Sequence, residues 1–305
     1  MKTRLKHVLF LLNLFMEELL LEPVTYYKNQ KGKNIRKILC DVLGNFLGVS
    51  KENIELINNI TNDCHNASLV IDDIEDNSLL RRNVPCAHIQ YGIPLSLNAG
   101  YYSIFKSLRE ITNNFSTKTT NQIINYLFYI HEGQGMDIYY TQNKVIPTIQ
   151  DYEKMMIYKT GYAFIMNLEL LMDKSTNVIA KKNYDKLKNI LIAFSLFFQI
   201  RDDYINLTDE NYWKDKGFCQ DFDEEKISYL ITYFKTINTI DVLDMLKDKT
   251  REGKIKILKL FHDNGLFDII YDKLVELKQA ILNEMNLGFI FEQLPFHKFD
   301  VGTIL

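Results

Sequence analysis

The chain has 305 residues, 47% of them hydrophobic, with only 13 Gly and 5 Pro to interrupt helices; a single all-α domain over 1–305 is the expectation. A formal net charge of −3 lacks the basic balance that a nucleic-acid partner requires. Cys40, Cys64, Cys86 and Cys219 are scattered and form no CxxC pair, which argues for buried, reduced thiols rather than a disulfide framework or a zinc site.

The opening segment, "MKTRLKHVLFLLNLFMEELLL", joins early cations to an apolar run, as a signal peptide does. Asn13, Glu17 and Glu18 interrupt that run, it is too short to span a bilayer, and no small-residue cleavage site follows. An amphipathic first helix is expected instead, packed on the body or on a second subunit, with loose membrane contact left open. With no cleavable leader in view, the expected location is the cytosol. "NIRKILCDVLGNFLGV" then carries an apolar stripe of Ile35, Leu39, Val42, Leu43, Phe46 and Leu47, ended by Gly48. A long helix runs from Ser50 through "ASLVIDDIEDN", and the Pro85 and Gly92–Pro94 punctuation makes 81–94 a loop. Helices are expected over 95–112, 118–141, 149–173 and 178–208, a polar loop covering a site over 209–226, shorter helices over 226–287, and an irregular apolar tail. No strand alternation, repeat or low-complexity linker is visible.

Four carboxylates, Asp72, Asp73, Glu75 and Asp76, rise out of the apolar run Leu69, Val70, Ile71 and Ile74. Residues four apart on a helix share a face with their Cβ atoms about 6 Å from each other, so Asp72 and Asp76 point the same way. Two anions on a partly buried face repel and are costly to desolvate, so something cationic must compensate. Arginines would serve, and so would Mg²⁺, which accepts one or two carboxylates and completes its shell with water and phosphate oxygens. "FFQIRDDYINL" repeats the pattern, with Asp202, Asp203 and Asn206 following another apolar helical run. A single such cluster reads as a salt-bridged helix end; two of them point to metal binding. The cations Lys33, Arg36, Arg81, Arg82, Lys159, Lys216 and Lys226 are each ordinary surface charges taken singly. Beside two Mg²⁺ clusters they suggest a cavity that holds two diphosphates.

"HNASLVIDDIEDNSLLRR", "GQGMDIYY", "YKTG" and "FFQIRDDYINL…KGFCQDF" resemble the trans-isoprenyl diphosphate synthase family, most closely its eukaryotic geranylgeranyl diphosphate synthases, from about Leu20 to about Met285. The resemblance implies a single-domain bundle of antiparallel helices around a deep central cavity, the isoprenoid synthase fold, built as a homodimer or a higher homo-oligomer. It implies Mg²⁺, three ions per active site with substrate bound, held by Asp72 and Asp76 on one side and by Asp202, with Asp203 and Asn206, on the other. Lys33, Arg36, His65 and Arg82 would bind isopentenyl diphosphate. Arg81, Lys159, Thr160, Gln199, Lys216 and Lys226 would bind the allylic diphosphate, with Lys159, Thr160 and Gln199 aiming their dipoles at the carbocation as the catalytic set. The implied reaction is head-to-tail prenyl transfer yielding geranylgeranyl diphosphate, most readily from farnesyl diphosphate.

One helical turn rises about 5.4 Å, close to one isoprene unit, so Ala67 and Ser68, a turn before Asp72, are expected to line the wall that a growing tail passes. By resemblance Ile104, Phe105 and His131 floor the pocket. The chain departs from the family at Tyr162 and Glu225, where glycines are usual, at Leu230, where proline is usual, and at Glu132 and Ile104. Two rivals stand beside prenyl transfer. A terpene cyclase of the same fold would not need the isopentenyl diphosphate set, and a non-catalytic partner subunit would not need both acidic clusters.

Overall fold

The computed structural model describes residues 2–283 apart from 31, 33 and 83, and for 2–14, 179, 180, 215, 216 and 283 the backbone alone. The described chain is almost entirely helical. In order it forms α1 (Lys2–Lys28), α2 (Ile35–Phe46), α3 (Lys51–Glu75), the two-residue strands β1 (Leu80–Arg81) and β2 (Val84–Pro85), α4 (Ala87–Tyr91), α5 (Ile93–Asn114) and α6 (Thr117–Asn143). Then come α7 (Ile149–Met156), a π turn (Ile157–Gly161), α8 (Tyr162–Lys174), α9 (Val178–Lys182) and α10 (Tyr184–Thr208). The C-terminal part holds α11 (Glu210–Lys216), α12 (Gln220–Asp223), α13 (Tyr229–Ile237), α14 (Val242–Met245), α15 (Arg251–Asp263) and α16 (Leu266–Asn283). The expected all-α class holds. No helix among the described residues is long and apolar enough to cross a membrane.

Three local readings change. The expected loop at 81–94 contains the antiparallel β1–β2 pair, with Leu80 opposite Pro85 and Arg81 opposite Val84, followed by α4. The expected helix over 149–173 is broken in the middle by the π turn. The polar segment 209–226 winds into α11 and α12, because Asp209 accepts a hydrogen bond from the Asn211 N–H and caps a helix that composition disguised. The apolar tail beyond 283 lies outside the described residues.

The chain divides into two compact units, Met1–Lys37 with Lys51–Thr120, and Ile38–Ser50 with Asn121–Leu305. In the first, α3 and α5 pack closely on each other and α1 packs on both. Its core is Val24, Tyr27, Ala67, Val70, Ala87 and Ala99, with Tyr26, Leu69, Tyr91 and Ile104 against it. α5 presents Ser96, Ala99, Ser103 and Ser107 as buried residues, so small side chains let the two helix backbones approach. In the second unit α10 is the central element, packed on α7, the π turn, α8, α13 and α16. Its apolar face is aromatic: Phe164 meets Phe194 at 5.2 Å between ring centres, Tyr204 meets Phe267, and Phe261 meets Phe222, Phe234 and Phe267. Such aromatic contacts fill the core around the helix up to its polar C-terminal end.

Candidate active site

The first acidic set caps the C-terminal end of α3. Asp73 is fully buried, Asp72 half-buried and Asp76 exposed. The buried carboxylate is answered from two elements. Asp73 accepts from the Tyr27 hydroxyl on α1 and from both Nε (2.9 Å) and Nη2 of Arg81 on β1. The Tyr27 oxygen in turn accepts the Ala87 N–H of α4 at 2.9 Å. Burial opposes the Arg81 charge, but Asp73 and Asp72 outweigh it and hold the guanidinium protonated. Arg81 Nη2 also reaches Asp72 Oδ2 at 3.2 Å. Asp72 and Asp76 remain on one helical face, one turn apart.

Beside this set Arg36 Nη1 lies 2.9 Å from His65 Nε2. Arginine can only donate, so that imidazole nitrogen accepts and the ring is neutral. Burial, reinforced by Arg36, Arg82 and Arg81, pushes the His65 pKa well below its ordinary value, and burial with Arg82 nearby lowers Arg36 to about 10. Arg82, in a left-handed backbone conformation (φ 54°), donates to the Tyr27 carbonyl at 3.0 Å and the Gln30 carbonyl at 3.3 Å. Three of the four residues expected to hold isopentenyl diphosphate thus stand together; Lys33 lies outside the described residues.

The second set lies in the last two turns of α10. Asp203 is buried and both its oxygens are taken: Oδ1 accepts from Gln199 Nε2 at 3.1 Å and Lys226 Nζ at 3.3 Å, and Oδ2 from the Tyr152 hydroxyl at 2.6 Å and the Tyr229 N–H at 2.8 Å. Asn206, also buried, exchanges two hydrogen bonds with Asp221, donating from Nδ2 at 2.9 Å and accepting the backbone N–H at 3.3 Å. Of the expected metal set on this helix, then, Asp203 and Asn206 have their polar atoms committed to protein partners. Half-buried Asp202 receives the Tyr212 hydroxyl at 3.1 Å. Burial works against the Lys226 charge, yet Asp203 and Asp221 hold its pKa well above the ordinary lysine value.

Lys159 and Thr160 lie in the π turn, a local widening frequent at functional sites. α6 accommodates the turn through Gly133, where a Cβ would come within 2.4 Å of the Lys159 nitrogen. Lys159 Nζ donates to Asp137 Oδ2 on α6 at 2.7 Å, and Thr160 is buried. Tyr162 stacks on Tyr129 at 4.8 Å, with Tyr126 and Tyr158 within 5.6 Å, so the departure from glycine builds an aromatic joint between α6 and α8. Lys216 is described only as the last backbone position of α11. Glu225 adopts the left-handed φ of 51° that its usual glycine would favour, tied down by Lys144 and Lys249 at 2.7 and 3.0 Å.

The expected chain-length residues separate. Ala67 is fully buried in the α1–α3–α5 core, where its small size serves helix packing. Ser68, by contrast, is exposed and donates to the His65 carbonyl. Ile104 packs against the same core, while Phe105 is 65% exposed and His131 is exposed with Nδ1 2.8 Å from the Leu127 carbonyl. Tyr27, Asp137, Tyr152 and Asp221, which hold the expected residues in place, were not singled out from the sequence. Asp137 had a signal, since "GQGMDIYY" places it one turn beyond Gly133. Tyr27 had none, because 46 residues separate it from Asp73.

A profile of the polyprenyl synthetase family matches residues 17–261. A protein of Dictyostelium discoideum named geranylgeranyl pyrophosphate synthase is 35% identical over 271 residues, covering 88% of each chain. One of the same name from Mucor circinelloides f. lusitanicus is 34% identical over 277 residues, again covering 88% of each, and one from Matsumurasca onukii named terpene synthase is 34% identical over 274 residues with the same coverage. Both acidic helix ends, the arginine–histidine group beside the first and the lysine-bearing π turn fall inside the matched region, and by that match and these identities the chain belongs to the polyprenyl synthetase family.

Proposed function

We propose that this chain is a Mg²⁺-dependent prenyltransferase that joins isopentenyl diphosphate head-to-tail to an allylic diphosphate, farnesyl diphosphate above all, to give geranylgeranyl diphosphate. The observation that carries the reading is the doubled acidic helix end. In each pair one aspartate, Asp73 or Asp203, is buried and saturated by tyrosine and cation donors, and its neighbour, Asp72 or Asp202, stands half-buried at the edge.

The donor chemistry fits Mg²⁺: hard carboxylate oxygens, few in number, with no thiol or imidazole among them. Among the described residues no group of three or more His, Cys, Asp or Glu forms a cage, and Mg²⁺ does not need one, because it binds through one or two carboxylates plus phosphate oxygens and water. Asp72 and Asp76 would hold it at the end of α3 and Asp202 at the end of α10, with Asp203 and Asn206 fixing the α10 end from within. Bound there, Mg²⁺ supplies charge neutralisation for the departing diphosphate. Lys226, kept charged by Asp203 and Asp221, and Lys159, steadied by Asp137, add fixed positive charge for the allylic diphosphate, and Arg81 completes that set. Arg36 and Arg82, with neutral His65 between cationic neighbours, take isopentenyl diphosphate. The allylic C–O bond breaks and the diphosphate leaves with its electron pair, the alkene of isopentenyl diphosphate forms the new C–C bond, and a proton passes from the adjacent carbon to the released diphosphate to restore a double bond. The Thr160 hydroxyl and the Lys159 carbonyl serve the cation by their dipoles, and exposed Ser68, with Phe105 and His131, sets the room for the tail.

Residues 1–305 act here as one catalytic domain, assembled as a homodimer in the cytosol; Ile124 and Phe128 exposed on α6 support a subunit contact. The test is incubation with Mg²⁺, isopentenyl diphosphate and each of dimethylallyl, geranyl and farnesyl diphosphates, with products identified by mass. Geranylgeranyl diphosphate is expected, formed fastest from farnesyl diphosphate. Hydrocarbon products would instead assign a cyclase, a rival that the 34% identity to a protein named terpene synthase keeps in play, and no turnover would assign a modulatory subunit.

A further inference from the structure

The segment after the second acidic set is attached in two different ways. Its far end is clamped: Lys254 of α15, almost wholly buried, donates to the Phe218 carbonyl at 2.8 Å and to Asp223 Oδ2 at 2.6 Å, and Arg251 lies over the Phe218 ring at 4.6 Å. Asn206 and Asp221 tie the same end to α10. Its near end, α11, is linked to this clamp through Gly217, whose φ of 100° suits a pivot. α11 reaches α10 through Tyr212, whose hydroxyl donates to Asp202 Oδ2, and through Trp213, whose Nε1 donates to the Asn206 carbonyl at 2.7 Å while its ring meets Phe218 edge-on at 4.8 Å.

We propose that Tyr212 is a positioning residue: by holding Asp202 Oδ2 it orients that carboxylate for Mg²⁺-diphosphate, and through that hydrogen bond it couples occupancy of the site to the seating of α11 as a lid. The proposal rests on the reading of Asp202 as a metal ligand. A carboxylate with one oxygen engaged by a donor is oriented before the metal arrives, and such outer partners are worth about tenfold or more in metal affinity. Coupling is reciprocal, so if a seated α11 strengthens binding, binding must strengthen the seating. The chain reports on this without a label, because Trp213 is its one tryptophan and sits next to Tyr212.

The experiment uses the full chain with inorganic pyrophosphate and Mg²⁺, following pyrophosphate binding by calorimetry and acrylamide quenching of Trp213 fluorescence. In the unaltered protein Mg²⁺ with pyrophosphate should reduce quenching; unchanged quenching overturns the coupling whatever any variant does. Tyr212→Phe, which keeps the ring, should bind pyrophosphate about tenfold more weakly in Mg²⁺. It should also lose the protection of Trp213 at saturating Mg²⁺-pyrophosphate, an effect that a merely structural role for the hydroxyl would not produce. Binding and protection equal to those of the unaltered protein would overturn the assignment to Tyr212. Asp202→Asn separates the two levels. If it loses Mg²⁺-dependent binding while Tyr212→Phe does not, the metal reading stands and the positioning role falls; if it binds normally, both fall.

Discussion

Neighbouring aspartates in this protein have different physical tasks, and the difference is burial. Asp73 neutralises Arg81 and accepts from Tyr27 inside the first unit, whereas Asp72, next to it, is half-buried at the helix end. Asp73→Ala should therefore lower stability by about 1–3 kcal/mol in chemical denaturation, because it leaves the buried Tyr27 hydroxyl without its acceptor and half-buried Arg81 with Asp72 alone. Asp72→Ala should leave the fold intact, judged by circular dichroism, and, on the proposed reading of Asp72 as a Mg²⁺ ligand, cut turnover by about a hundredfold or more. His65 adds a pH signature. Its pKa in the fold lies well below the ordinary 6.5, so above that pH it is neutral folded or unfolded and contributes no pH dependence. As the pH falls below 6.5 the unfolded chain takes up a proton that the folded chain refuses, and stability declines. Denaturant midpoints measured from pH 7 down to about 5 should fall in the unaltered protein and flatten in His65→Asn.

At the scale of elements, the glycines of "GQG" are not equivalent. A Cβ on Gly133 would overlap the backbone of Lys159 and the Tyr158 Cβ (2.4 and 2.7 Å), whereas one on Gly135 meets nothing within 4 Å. Backbone cannot swing aside as a side-chain tip does. Gly133→Ala should displace the π turn, costing about 1–3 kcal/mol and moving Lys159 away from Asp137 with a loss of rate. Gly135→Ala should leave both nearly unchanged, and parallel denaturation and turnover measurements on the pair decide the matter. The π turn itself was invisible in advance. Periodicity over 149–173 reads as one helix, and one inserted residue leaves the apolar spacing almost unaltered while re-aiming Lys159 and Thr160.

Across the whole molecule, the buried aspartate of each acidic set is satisfied by protein donors: Asp73 by Tyr27 and Arg81, Asp203 by Tyr152, Gln199, Lys226 and the Tyr229 N–H. A chelator should consequently abolish turnover and leave the melting temperature within about 2 °C; a collapse of the fold would mean that the metal is structural. Apolar periodicity and the scarcity of Gly and Pro were enough to read the helical class, the stripe on α2 and the length of α3, since these depend on neighbours three and four residues away along the chain. The acidic spacing was enough to read Asp72, Asp76 and Asp202 as candidates for the same local reason. Which aspartate of each pair is buried, that Ala67 belongs to a core, and that Tyr27, Tyr152 and Asp137 hold the site depended on partners 22 to 51 residues away, and on the packing of α1, α6 and α7. No one-dimensional pattern records those distances, because each arises only when separate helices close on one another and leave a polar group no partner but the one opposite.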